Sequence, residues 1–151
     1  MSDDILYASD LRNSYLQSPV DDLYSFYYTM QWAAVFHNEE FAAKDVPSHL
    51  DIFRKKLLGN QDNRLFVTSK INDLIPLEPL EYGSVLVSCQ PVLRDWYTEL
   101  QRLRVDWHDC RKGLKGQEVK GEIYIPLFLT FAVRGVAMLS EVVHKHTENM
   151  D

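Results

Sequence analysis

Ser18-Pro19-Val20-Asp21-Asp22-Leu23-Tyr24-Ser25-Phe26-Tyr27-Tyr28-Thr29-Met30-Gln31-Trp32-Ala33-Ala34-Val35-Phe36-His37-Asn38 reads as one long helix with a well-specified start. The Ser18 hydroxyl can accept from a free amide of the first turn, Pro19 suits the first helical position, and Asp21 and Asp22 lie at the positive end of the helix dipole. Leu23, Phe26, Tyr27, Met30, Ala33 and Ala34 follow at three- and four-residue steps, and Tyr24, Tyr28 and Trp32 make most of the remaining circumference aromatic. Such a helix is expected to be buried on nearly every side.

Downstream, the punctuation is also helical. Pro47 to Gly59 predicts a short amphipathic helix with a Pro or Ser start and a Gly stop. Asp62 to Asp73 predicts another, with Leu65, Phe66, Ile71 and Leu74 as its apolar positions. The two prolines of Ile75-Pro76-Leu77-Glu78-Pro79-Leu80 then interrupt regular structure. From Ser84 to Arg111 a longer helix is expected, with Val87, Val92, Trp96, Leu100, Leu103 and Trp107 as its stripe and Pro91 either kinking or opening it. Gly113, Gly116 and Gly121 make Lys112 to Glu122 a loop.

The apolar run Tyr124 to Leu139 is shorter than the roughly 20 residues that span a bilayer and contains Arg134, so it predicts a core helix rather than a membrane segment. Pro126 is placed near its first turn, and Gly135 marks a close approach by another helix. No strand series competes. The expectation is an all-α protein, with residues 1–17 as an N-terminal segment and 18–151 as a single helical domain.

The size and composition, 151 residues and 46% hydrophobic, suffice for one real core. A net charge of −6 argues against a nucleic-acid footprint, and the basic residues between Arg94 and Lys120 are interleaved with Asp95, Glu99, Asp106, Asp109 and Glu118. The first residues lack the basic and apolar stretches of a secretory signal, so an intracellular, cytoplasmic setting is expected, in which Cys89 and Cys110 stay reduced and Cys89 serves as a small core residue.

The Asp-Asp-Leu-x-Ser-Phe-x-Tyr pattern of residues 21–28 resembles the buried central helix of the protein-kinase C-terminal lobe and is similar to that of fungal FunK1-type protein kinases. The specific part of the resemblance covers about residues 10 to 38. The order of one long helix, two short ones, a proline-rich connection and two longer helices is similar to the second half of that lobe. The resemblance implies that Asp21 or Asp22 matches the acidic residue that holds the backbone of the catalytic loop. Yet the 151 residues contain no His-Arg-Asp, no Asp-Phe-Gly and no Gly-rich phosphate loop. The acidic pair then either holds another segment or serves only as the charge at the helix start.

Other chemistries have no better footing. His37, His49, His108, His144 and His146 do not form a zinc-binding pattern, and neither Cys-x-x-Cys, His-Glu-x-x-His nor Gly-x-Ser-x-Gly occurs. No catalytic residue, metal site or cofactor is assigned. The expected role is a non-catalytic, kinase-lobe-like interaction or regulatory module whose partner is another protein or a second copy, without nucleic acid or membrane. A lobe severed from its other half exposes apolar surface that something must cover. Its candidate contact residues are Asp21, Asp22, Tyr24, Tyr28, Trp32, Trp96 and Trp107, the aromatic ones because Tyr and Trp are enriched among binding hot spots. The competing assignment of the aromatics is to the core. An alternative function is a small acidic antidote or immunity-type protein, in which Asp3, Asp4, Asp21, Asp22, Glu39 and Glu40 steer a basic partner.

Overall fold

Six helices make up the regular structure of the computed structural model, which describes residues 18–37, 40–41, 44–113 and 121–148. They are α1 (Pro19–Val35), α2 (Ser48–Leu57), α3 (Gln61–Ile71), α4 (Pro79–Tyr82), α5 (Ser84–Lys112) and α6 (Gly121–Glu148). No strand occurs among the described residues, and the protein is all-α. The helices fall into two compact units. Of the described residues, 18–27 and those from 96 onward form one, and 28–95 form the other. Residues 1–17 and most of the glycine-bearing stretch Lys112–Glu122, both read above from sequence, lie outside the described residues.

In the first unit α1 opens as its sequence prescribes: Val20 N–H donates to the Ser18 hydroxyl at 3.0 Å and Asp21 N–H to the Ser18 carbonyl at 3.1 Å. The core is built from Val20, Leu23, Tyr24 and Tyr27 of α1, Leu100, Leu103 and Trp107 of α5, and Phe131 and Leu139 of α6. The fully buried Trp107 meets Phe131 edge-on at 5.2 Å between centroids and Tyr124 at 6.1 Å. Gly135 is buried where α6 crosses α1 and α5. A Cβ there would overlap Leu23 Cδ1 and lie 3.1 Å from Leu103 Cδ2. The close approach expected at this glycine is therefore present, and the contact requires the missing side chain.

In the second unit three polar side chains do work that regular structure leaves undone. No basic residue lies in the last turn of α1. Arg54 of α2 supplies one, donating from Nε to the Val35 carbonyl at 2.8 Å and from an Nη to the His37 carbonyl at 3.0 Å. Gln90 of α5, buried, donates to the Ile71 carbonyl at 3.0 Å and accepts from Leu77 N–H at 2.9 Å, so it ties down the proline-rich connection. Glu40 caps α5, accepting from Ser84 N–H, from the Ser84 hydroxyl at 2.6 Å and from Val85 N–H at 3.2 Å.

Several expectations need correction. α1 is not buried all round, because Phe26 and Trp32 are exposed. Helix α3 turns Val67, Thr68 and Ile71 inward, leaving Leu65, Phe66 and Leu74 exposed, with Lys56 and Lys70 over the Phe66 ring. The prolines largely follow expectation: Pro76 lies in the interruption between α3 and α4, Pro79 opens the short α4, and Pro91 lies inside an α5 that begins at Ser84; Pro126 lies deeper in its helix than expected, because α6 begins at Gly121. Both Pro91 and Pro126 lie past the amides that have no intrahelical acceptor, so each forfeits one backbone hydrogen bond and crowds the carbonyl four residues earlier. Cys89 is half-buried rather than a full core residue, and burial raises its thiol pKa.

Two outcomes follow. Gly135→Ala gains up to about 1 kcal/mol of helix propensity but overpacks Leu23 at a cost of about 1–3 kcal/mol, so urea denaturation should show net destabilisation. For Glu40, partial burial disfavours the charged form, but the Ser84 hydroxyl, the Ser84 and Val85 amides and nearby His37 outweigh it and lower the carboxyl pKa. A lowered folded-state pKa means stability that is present above the unfolded value, near 4.5, and lost as pH falls through the folded value. Glu40→Gln should therefore cost about 0.5–1 kcal/mol at pH 7, and the gap from wild type should close in acid denaturation.

Candidate functional site

The acidic pair sits on the first turn of α1, with Asp21 buried and Asp22 exposed. The Tyr124 phenol of α6 lies within their field. Its pKa is raised, first by burial and then by Asp21 and Asp22, while Arg111 acts in the opposite sense. The two acids, one cation and one phenol thus share one end of the first unit.

The aromatic candidates divide by burial. Tyr24 and Trp107 are enclosed in the core of the first unit, Tyr24 edge-on to Tyr97 at 6.1 Å and beneath the Arg104 guanidinium at 5.8 Å. Trp96 is half-buried and spends its indole N–H on the Leu139 carbonyl at 3.0 Å. In the second unit Tyr28 is half-buried, and Trp32 is exposed while stacked on Phe36 at 4.4 Å. Of the seven residues, only Asp22 and Trp32 are exposed. Of the acids read as steering charges, Glu40 is engaged at the start of α5, and Asp3, Asp4 and Glu39 lie outside the described residues. Among the described residues no group of three His, Cys, Asp or Glu side chains could hold a metal ion.

The largest departure from the sequence reading is in α6. The run Tyr124 to Leu139 belongs to a helix of 28 residues, which as a whole is long and apolar enough, by length and composition alone, to cross a bilayer. Nor is it a core helix in the ordinary sense: of its described side chains only Phe131, Gly135 and Leu139 are buried. Ile125, Leu129, Val133, Val136 and Val143 are between 42% and 69% exposed. At 100° per residue these five fall within less than a quarter of the circumference, a face separate from the one that carries Phe131, Gly135 and Leu139. Arg134 lies outside this stripe and pairs with Asp106 of α5.

Sequence reasoning missed this face because it treated every apolar residue of the run as core. The signal was present as two superposed spacings, a four-residue step through Phe131, Gly135 and Leu139 and a separate stripe through Leu129, Val133, Val136 and Val143. A helix apolar on two faces has one face to bury within the fold and one left over.

No family model, curated protein or solved structure matches this chain. What the site can do is argued from its own chemistry: a continuous aliphatic strip with no carboxylate or ammonium on it has no group for acid–base or nucleophilic work and offers apolar area for contact.

The two faces of α6 should respond differently to truncation. Leu129→Ser and Val133→Ser should leave the stability of the dilute chain within about 0.5 kcal/mol of wild type, whereas Phe131→Ala should cost about 3–5 kcal/mol, measured by urea denaturation.

Proposed function

We propose that this chain is a non-catalytic protein-interaction module whose contact surface is the exposed aliphatic face of α6. The observation that carries the reading is the stripe Ile125, Leu129, Val133, Val136 and Val143, solvent-exposed on a helix whose other face is packed. Exposed apolar strips of a few hundred Å² on a folded chain mark places where something binds. The kinase-lobe resemblance belongs to the same proposal. These 151 residues carry neither His-Arg-Asp nor Asp-Phe-Gly, so they supply none of the groups by which that family transfers phosphate. The acidic end of α1 then serves as the charge at a helix start, beside Tyr124 and Arg111.

The test is comparative capture, with wild-type protein and Val136→Glu as baits. A partner retained by the first and lost by the second, with no phosphate transferred from magnesium-ATP by either, is the expected result. Capture insensitive to Val136→Glu would remove α6 from the function, and ATP-dependent phosphate transfer would end the non-catalytic reading.

A further inference from the structure

The exposed stripe has a finer pattern than apolarity. Pro126, Leu129, Val133, Val136, Ser140 and Val143 are all exposed, and their spacing is three, four, three, four, three. That is the alternation of a two-stranded coiled-coil seam, carried here for two and a half heptads on a helix already held along an adjoining face. The positions that flank the seam are Ile125, Thr130, Ala132, Ala137, Leu139, His144 and His146, and none carries a carboxylate, an ammonium or a guanidinium. A partner chosen by charge would find nothing to pair with. One with the same apolar seam and small flanking residues would fit at the 8–10 Å separation of closely packed helices.

We infer that the occupant of this face is a second copy of the same chain, its α6 packed antiparallel against the first across a two-fold axis between Val133 and Val136. The inference rests on the interaction reading above and names its partner. The spacing is the same read in either direction about that axis, as an isologous contact requires. Antiparallel pairing sets Val133 of one copy against Val136 of the other and Leu129, the largest seam residue, against Ser140, the smallest. Large-against-small layers of this kind interdigitate. It also brings each helix's negative end to its partner's positive end, which a parallel pair cannot do.

The area is that of a small contact. From 126 to 143 the seam runs about 26 Å at 1.5 Å per residue, and a strip about 10 Å wide on each of two helices comes to roughly 500 Å², so the pair is a weak, concentration-dependent one. A lipid surface is the poorer occupant. Helices that lie on membranes line their polar flanks with Lys and Arg, whereas here the flanks are free of both and Arg134 is paired with Asp106.

The experiment is sedimentation equilibrium of the full chain over a concentration series, for wild type, Val136→Glu, Val133→Lys and the double variant, with circular dichroism as the folding control. Wild type should reach twice the monomer mass. Each single substitution should weaken association at least tenfold by burying an unpaired charge. The double variant should recover most of that loss, because only the antiparallel register brings position 133 of one copy to position 136 of the other. If a charged variant loses helicity, Val136→Gln replaces it and should still weaken association. A dimer unmoved by these substitutions, or one that the double variant worsens, overturns the inference. So does a monomer, in two distinguishable ways. If comparative capture still finds another protein, or phosphatidylcholine–phosphatidylserine vesicles bind in a Val136-dependent manner, the face has a different occupant. If neither occurs, the interaction reading falls as well.

Discussion

The close approach at Gly135 governs the rest of the first unit. Because a side chain there would run into Leu23 and Leu103, this position of α6 is the one that lies against α1 and α5. That contact turns Phe131 toward Trp107 one turn earlier and Leu139 inward one turn later, where its carbonyl accepts from Trp96. With the inward line set, helical geometry leaves no freedom for the other positions. Leu129, Val133 and Val136 must face away. The exposed aliphatic stripe is the geometric remainder of a helix with more apolar residues than one face can hold.

The second unit is organised by polar side chains instead. Helices α2 and α3 are short, and the connection after α3 contains two prolines, so backbone groups there have few regular partners. Arg54 answers the free carbonyls at the end of α1, Glu40 the free amides at the start of α5, and Gln90 both an amide and a carbonyl of the connection. Thr68 adds a buried hydroxyl donating to Gln31 at 3.2 Å. Gln90 uses its amide as donor and acceptor at once, which ties the connection to one arrangement, whereas Gln31 Nε2 is buried without a hydrogen-bond partner among the described residues.

These two styles of assembly bear on function. A core of aromatic rings edge to edge around Trp107, and loops held by dedicated caps, serve stability and leave their own residues occupied. Of the aromatic candidates, Tyr24 and Trp107 are consumed in this way, while Trp32 stays exposed. The longest apolar stripe left outside is aliphatic, on a helix that sequence alone assigned to the interior.

Local chemistry was legible from the start. The Ser18 cap, the limits of α1, α2, α3 and α5 to within three residues and the all-α class follow from short-range rules about amides, prolines and apolar spacing, which neighbouring residues decide among themselves. What could not be read was which of two apolar faces a helix turns inward. For α3 the sequence offered Leu65, Phe66, Ile71 and Leu74, and the fold took Ile71 together with Val67; for α6 it offered every residue of the run, and the fold took Phe131, Gly135 and Leu139. Periodicity reports that a face is apolar but not what lies opposite it. That depends on residues far away in the chain, Leu23, Leu103 and Trp107 among them, and so only the tertiary structure could decide it.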